Sequence, residues 1–395
     1  MCTESQGLFS FMETAPRVFR DVISQPEAVE ELRRSMSQGN DIHHAWLFTG
    51  PPGSGRSQIA LAFAAALLCS EGGCGFCNSC EMIRAGSHPD VQVLNTERVQ
   101  ISIDEVTEFI DKSLTMPAVG KYRIMVIEDA DRMMERTSNL LLKSLEEPPK
   151  GSIWMLCAPS EADLLLTIRS RVRRVQLKVP SVESVAMLLV EKYGVPFELA
   201  QLSAAQAQSH VGMARRLATN AGARDRRKQA LLAALSIVDI PSAMQAAETL
   251  AKLGESDGAQ LSGEQDEQER KDLMIQLGVS EDQKLTPSAR AQLRRLEEAQ
   301  KRRATRSERD GLDRIFVDLM GLYRDVLTVQ LGAKESLINP DLANEINVLA
   351  TETTQAQIIR NIEEIEKTRY RIERNVKESL LLDSLAITLR RKKVR

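Results

Sequence analysis

The sequence is poor in aromatic residues, and neither sign of charge dominates it. Only 4% of its 395 residues are Phe, Trp or Tyr, and the formal net charge is −3. Scarce aromatic rings argue against a groove in which successive bases stack on side chains. A nearly balanced charge excludes a field over the whole surface that would attract nucleic acid. Any contact with DNA is therefore expected to come from local patches.

Long apolar stretches are also absent. No run approaches the roughly 20 apolar residues that a membrane-spanning helix needs, and residues 1–17 lack the apolar core of a secretory leader. We therefore expect a cytoplasmic chain without membrane contact, in which disulfides are disfavoured. Its hydrophobic content of 43% and charged content of 27% are ordinary for a globular protein. The length allows two or three domains.

The most informative stretch is a glycine-rich loop between an apolar run, residues 45–49, and a helical pattern. The loop consists of Gly50, Pro51, Pro52, Gly53, Ser54, Gly55, Arg56 and Ser57. Its spacing matches G-x-x-x-x-G-K-[ST], which cradles nucleotide phosphates, except that Arg56 stands at the lysine position. Arginine is longer and forked, so contact with the phosphates changes geometry. Since phosphoryl transfer depends on close positioning, hydrolysis of ATP should suffer more than binding of ATP or ADP.

An acidic pair, Glu128 and Asp129, follows a second apolar run at residues 122–127. Carboxylates at a strand end beside a phosphate loop usually hold Mg²⁺ and polarise a water molecule. The usual order is Asp and then Glu, and this chain reverses it. A solvated helix start would also explain two acids. With the loop upstream, the pair indicates an Mg-nucleotide site that is impaired.

Four cysteines form a cluster with the spacing C-x4-C-x2-C-x2-C: Cys69, Cys74, Cys77 and Cys80. Four thiolates at such spacing suit tetrahedral zinc, and a site without an open position is structural. Disulfides or idle thiols are the alternatives, which a reducing compartment disfavours. Cys157 lies in an apolar run and is expected in the core, and Cys2 is expected to be incidental.

Several stretches together resemble one family. Residues 139–149 read NLLLKSLEEPP, residues 44–53 read HAWLFTGPPG, residues 18–25 read VFRDVISQ, and the cysteine insertion follows the phosphate loop. They resemble the AAA+ subunits γ/τ and δ′ of the bacterial DNA polymerase III clamp loader, over about residues 1–220. The altered loop and acidic pair resemble δ′, the actinobacterial type especially, more than γ/τ. The resemblance implies γ/τ and δ subunits as partners, and through them the sliding clamp and primer–template DNA.

The resemblance also implies residue roles. Residues 167–172 are similar to the family's T-I-x-S-R-C, which makes Arg171 a finger for a neighbouring ATP site; without the family, a basic strand end would be the simpler interpretation. Residues 212–215 are similar to G-x-A-R, in which Arg215 senses the γ-phosphate. Residues 156–159 are apolar where active members commonly have a polar sensor.

These departures favour a weak or inactive ATPase that acts on its neighbour, in a holoenzyme whose polymerase activity lies in another subunit. An active γ/τ-type ATPase and a zinc-bearing scaffold that binds no nucleotide are the alternatives. The intact loop glycines count against the scaffold.

The chain changes character near residue 175. Alternating strand and helix patterns predict a parallel α/β AAA+ domain over residues 1–178, with a zinc module at 69–80. Helical patterns predict a lid at 179–225 and an all-helical collar at 226–395. Acidic, Ser- and Gly-containing residues 254–272 are expected to form a flexible loop. The basic residues 390–395 favour a disordered tail over a DNA contact.

Overall fold

The computed structural model describes residues 16–20, 22, 24–37, 42–96, 100–276, 287–372 and 376–391. The chain forms two compact units, Met1–Arg215 and Arg216–Arg395. This division places residues 216–225, predicted as part of the lid, in the second unit. Two residues of the 18–25 motif, Asp21 and Ile23, lie outside the described residues, as does most of the basic tail, 392–395.

The first unit is built on a five-stranded parallel sheet. Its strands are β1 (Ala45–Thr49), β2 (Val91–Leu94), β3 (Arg123–Ile127), β4 (Ser152–Ala158) and β5 (Arg173–Gln176), in the order β2-β3-β4-β1-β5. Every residue of β1 and β4 is buried, as expected for strands covered on both faces. Because β1 runs parallel to its neighbours β4 and β5, the loop after β1 begins at the common carboxyl edge of the sheet, where ligands bind in such folds.

Helices cover both faces of this sheet. They are α1 (Pro26–Ser37), α2 (Arg56–Leu68), α3 (Asn78–Arg84), α4 (Ile103–Ser113), α5 (Glu135–Glu146) and the short α6 (Leu166–Arg169). Successive side chains of a strand point to opposite faces, so Trp46 and Phe48 join one core with Phe63 of α2, while Leu47 joins a second core with Trp154. The predicted α/β class is confirmed.

Three helices follow the sheet: α7 (Val182–Tyr193), α8 (Phe197–Gln206) and α9 (Val211–Thr219). Ser181 caps α7 by accepting a hydrogen bond from the N–H of Ser184, as its sequence position predicts. Helix α7 ends at Gly194, whose φ of 65° lies in the left-handed region that glycine tolerates. A glycine and a proline two residues later predict a break in the helical lid, and the structure has that break between α7 and α8.

The described part of the second unit is helical throughout, apart from turns. Its helices are α10 (Ala221–Leu235), α11 (Ile240–Gln276), α12 (Pro287–Leu331), α13 (Ala343–Glu352), α14 (Gln355–Ile372) and α15 (Glu378–Leu389). Helical spacing predicts an apolar face on α12, and its residues are buried or, for the last two in this list, half-buried: Leu312, Ile315, Phe316, Leu319, Tyr323, Met320 and Leu327. Helical spacing also predicts a buried apolar face formed by Val376, Leu380, Leu385 and Leu389 at the last helix, and this prediction is partly wrong. Leu385 and Leu389 are buried, but Leu380 is 62% exposed and Leu381 and Leu382 take its place in the core.

The prediction of a flexible loop at residues 254–272 is wrong, because this segment lies inside α11. Two of its three glycines, Gly254 and Gly258, serve close helix packing rather than chain flexibility. A Cβ atom on Gly258 would lie 2.7 Å from the backbone nitrogen of Glu308 on α12, and one on Gly311 would lie 2.6 Å from the carbonyl oxygen of Gly254. Small residues let two helix backbones approach closely. They also leave the sequence without the hydrophobic pattern by which a buried helix is usually predicted.

Within the described ranges, no helix is both long and apolar enough to cross a membrane.

Candidate nucleotide and metal sites

The glycine-rich loop joins β1 to α2 at the carboxyl edge of the sheet. Gly53 and Gly55 have φ values of 84° and 87°, which explains glycine at both positions, and Gly55 is the N-cap of α2. The N–H of Gly50 donates to the carbonyl of Pro159, 3.2 Å away, and ties the loop to the end of β4. The first N–H groups of a helix lack partners within it, so the start of α2 offers donors and a favourable dipole to an anion.

Arg56 folds back over this loop. Its Nη1 donates to the carbonyl oxygen of Gly50 at 2.8 Å, and its Nη2 lies 3.9 Å from Oδ1 of Asp129. The side chain is only 14% exposed. The cation that stands at the lysine position is therefore engaged by the loop's own backbone and by the acidic pair.

The two acids of the reversed pair have different surroundings. Glu128 directly follows β3 and accepts a hydrogen bond from Nδ2 of Asn95 at 2.8 Å. Asp129 has a φ of 50°, in the left-handed region, and its Oδ2 lies 3.5 Å from Nε of Arg132. Asp129 thus lies between two guanidiniums, those of Arg56 and Arg132, which reduces the net charge left for a divalent cation.

Two further titratable side chains near the loop were not predicted as part of the site. Burial raises the pKa of Asp131, the charge of Asp129 raises it further, and Oδ1 of Asp131 has no hydrogen-bond partner among the described residues. Cys157, on β4, is buried as predicted, and the Ser57 hydroxyl of the loop acts to lower the pKa of its thiol. Burial raises the pKa of the Cys157 thiol, so it stays protonated at neutral pH. A neutral thiol thus lies in the region where a polar sensor is common.

Gln25 and His210 also border the loop. Nε2 of Gln25 donates to the carbonyl of Lys178 at 2.7 Å and lies 3.4 Å from that of Ser54, while its Oε1 accepts from the N–H of Lys178 at 3.0 Å. A Cβ atom on Gly53 would lie 2.6 Å from Cα of His210, so the turn before α9 packs directly on the loop. Gln25 lies in the motif at 18–25, whereas nothing in the sequence around His210 signals this contact.

The two arginines with implied roles lie in different surroundings. Arg215, on α9, places its guanidinium 5.9 Å from the centre of the Tyr193 ring on α7. Arg171 follows α6 and is about one-third exposed. Its Nη1 donates to the carbonyl of Thr167 at 2.7 Å and to Oγ of Ser170 at 2.9 Å. Both assigned roles stay predictions.

The four clustered cysteines come together at the end of α2 and the start of α3. Their Sγ atoms all lie within 4.8 Å of one another, and Sγ of Cys69 is 3.6 Å from that of Cys74 and 3.7 Å from that of Cys77. Zinc–sulfur bonds of about 2.3 Å in a tetrahedron place sulfur atoms about 3.8 Å apart. The donor set and spacing therefore fit a structural zinc ion held by Cys69, Cys74, Cys77 and Cys80.

The pKa values of these thiols differ. Burial raises the pKa of Cys69, but backbone N–H groups that include those of Cys74 and Gly73 outweigh it and lower the pKa to about 6. Burial raises the pKa of Cys80 to about 12. A metal ion binding here would therefore displace protons.

A parallel sheet in this strand order, with a phosphate-type loop after β1 and helices following the last strand, defines an AAA+ protein. A family model described as "DNA polymerase III, delta subunit" matches residues 24–181, and one described as "DNA polymerase III, delta subunit, C terminal" matches residues 265–390. The chain belongs to the family of DNA polymerase III clamp-loader subunits.

Relatives within this family include both δ′ and τ/γ subunits. The δ′ subunit of Pseudomonas aeruginosa is 37% identical over 134 residues, which are 32% of this chain and 41% of the relative. The τ/γ subunit of Haemophilus influenzae is 30% identical over 190 residues, 46% of this chain and 27% of the relative. A solved structure of a DNA polymerase III gamma subunit-related protein from Thermotoga maritima is 16% identical. The match covers 92% of this chain and 98% of that protein, with a TM-score of 0.45. The chain spans between 27% and 52% of the length of the first curated relatives it matches.

Proposed function

We propose that this chain is the δ′ subunit of the clamp loader, a stator-like member of the ring that helps to place the sliding clamp on primer–template DNA. It would work in the cytoplasm beside γ/τ and δ subunits and supply Arg171 to a neighbour's ATP site. In this proposal, residues 1–178 form the AAA+ domain, 179–225 the lid, and 226–395 the collar that joins the ring.

The observation that carries this proposal is the contact of Arg56 with the carbonyl of Gly50, at 2.8 Å. A loop lysine would present a compact charge to the β- and γ-phosphates. Here the cation is held by its own loop, and Asp129 beside it is matched by two guanidiniums. Both features support a site that binds ATP or ADP with Mg²⁺ without turning it over efficiently.

Each residue of the proposed nucleotide site has a separate role. The N–H groups of residues 53 and 55–57 would hold phosphate oxygens, since that of Ser54 donates to the carbonyl of Pro51. Arg56 and Ser57 would lie at the far end of the loop, and Arg215 would face the nucleotide from the lid. Glu128 and Asp129 would hold Mg²⁺ with reduced affinity. Arg171 would act outside this site, by placing a guanidinium against the phosphate of the neighbouring subunit, where charge builds up during transfer.

The deciding experiment is the ring reconstituted with cognate γ/τ and δ subunits. We expect Arg171→Ala to reduce ATP hydrolysis at the site it serves by about 10³-fold or more, the lower end of the effect of such fingers, while gel filtration shows intact assembly. Arg174→Ala is the matched control, because Arg174 lies nearby but pairs with Glu161 at 2.7 Å. Unchanged DNA-stimulated hydrolysis in an intact Arg171→Ala ring contradicts the finger role.

A γ/τ-type motor is the second candidate, favoured by the glycines at positions 50, 53 and 55 and by the similarity to τ/γ subunits. The isolated chain separates the two functions. We expect negligible turnover, whereas a steady rate of about 1 s⁻¹, the low end for enzymes, supports the motor.

A further inference from the structure

Arg171 forms an ion pair with Glu146 of its own chain. Its Nη2 lies 2.5 Å from Oε1 of Glu146, which is the last residue of α5. The C-terminal end of a helix carries a partial negative charge that disfavours an acid and favours a cation. Arg171 therefore balances both the carboxylate and the end of α5.

The guanidinium is thus held on two sides. Its Nη1 is bound to the carbonyl of Thr167 and the hydroxyl of Ser170, and these contacts fix the direction of the side chain. Its Nη2 is bound to Glu146, the only one of the three partners that is an anion. A phosphate and a carboxylate compete for the same guanidinium donors. A phosphate of a neighbouring subunit would have to displace Glu146 before Arg171 could bind it in full.

We propose that Glu146 is a positioning residue that holds Arg171 against its own chain until a neighbour's nucleotide displaces it. This inference rests on the proposed finger role of Arg171. The side chains are 34% and 48% exposed, so the pair is screened by water and can be displaced. Pairs of this kind shift an equilibrium by only about 1.4- to 5-fold, which suits a contact that must open in every catalytic cycle.

The test compares Glu146→Gln with Glu147→Gln in the reconstituted ring. Glu147 is the next residue and is exposed, so both variants remove one charge from the same end of α5. We expect Glu146→Gln to raise DNA-stimulated ATP turnover by about 1.4- to 5-fold and Glu147→Gln to leave it near wild type. Added salt should shrink the gain, because it screens the exposed pair in the wild-type ring. A purely structural role of Glu146 would not produce that dependence.

A second comparison separates failure of this inference from failure of the finger role. The double variant Glu146→Gln/Arg171→Ala should hydrolyse ATP as slowly as Arg171→Ala alone, since nothing remains to be released. If the Arg171→Ala ring hydrolyses ATP slowly but Glu146→Gln matches the Glu147→Gln control or falls below it, the positioning role of Glu146 is contradicted and the finger role of Arg171 is retained. If Arg171→Ala is as fast as wild type, both are overturned. Matching thermal melting curves for the single variants establish that each chain is folded.

Discussion

The guanidinium of Arg56 donates a 2.8 Å hydrogen bond to the carbonyl oxygen of Gly50, the first residue of its own loop. The contact spans six residues and closes the loop on itself. A carbonyl oxygen is a weaker partner for a guanidinium than a phosphate is, so the phosphates of a nucleotide could compete with Gly50 for Arg56. This competition nevertheless reduces the contribution of the Arg56 charge to the affinity for a nucleotide.

Replacing Arg56 with lysine should tighten ATP binding to the isolated chain by about 10- to 150-fold, because a charge-assisted hydrogen bond worth about 1.5–3 kcal/mol no longer opposes it. A nucleotide titration measures the change. Arg132→Lys is the control, since it makes the same chemical change beside Asp129 but outside the loop. Hydrolysis should stay negligible, because the acidic pair is still reversed. An Arg56→Lys chain that binds no tighter than wild type contradicts the account of the loop.

Metal analysis of the purified chain should return about one zinc ion per chain. We expect Cys80→Ser to lose that zinc, since structural sites need all four ligands, and to lower the unfolding temperature. Cys157→Ala is the control, because Cys157 is buried on β4 outside the cluster and the variant should retain its zinc. A wild-type chain that contains no zinc after purification without chelators would refute the assignment of the cluster.

Asp90 predicts a dependence of stability on pH. This fully buried carboxylate accepts hydrogen bonds from the N–H groups of Ala118, Val119 and Gly120 at 2.5–2.8 Å. Burial alone would raise its pKa, but the three donors outweigh burial and hold the pKa below its usual value. A lowered pKa means that the folded state favours the charged form, so the stabilisation is present above about pH 4 and is lost as the pH falls through the lowered pKa.

We therefore expect Asp90→Asn to reduce the free energy of unfolding by about 1–3 kcal/mol at pH 7. The difference from wild type should shrink below about pH 4, where the wild-type carboxyl also takes up a proton. Urea unfolding at several pH values measures it. The exposed Asp111 supplies the control variant Asp111→Asn, which should change stability little. If the difference in free energy of unfolding between wild type and Asp90→Asn stays constant from pH 7 to pH 3, this explanation is wrong.

Two glycines of α11 give a matched pair of variants. Gly258→Ala should destabilise the chain by about 1–3 kcal/mol, since its Cβ would lie 2.7 Å from backbone atoms of α12. Gly263→Ala should instead stabilise it by about 0.5–1 kcal/mol, because a Cβ there meets no atom within 4 Å and alanine favours a helix. Thermal or urea unfolding compares them. Equal effects of the two substitutions would show that α11 and α12 are not closely packed at Gly258.

The apolar strands could be predicted because burial on both faces leaves a continuous hydrophobic run. This holds for β1, β3 and β4. In contrast, β2 has only Val91 buried and β5 has only Val175 buried, so the continuous hydrophobic run is lost in both. The long helix α11 was misread because its glycines at 254 and 258 are typical of loops. Their actual cause is the close approach of α12, which no local pattern records.

The candidate site likewise has parts that the sequence predicts and parts that it does not. The loop and the acidic pair are contiguous motifs, so the sequence could place them, and the cysteine spacing could predict the cluster that the structure brings together. Contacts between distant segments could not be predicted. Asp131 takes its altered pKa from burial, and His210 meets Gly53 only because the chain folds back across 157 positions.

That last contact has a mechanical consequence. The turn at residues 207–210 already holds Gln208 and Ser209 in left-handed conformations and packs on Gly53 of the glycine-rich loop. The turn leads directly into α9, so this contact joins the loop to the start of that helix. A side chain larger than hydrogen at position 53 would consequently have to displace the first residues before α9, so the smallest residue of the loop sets where that helix can begin.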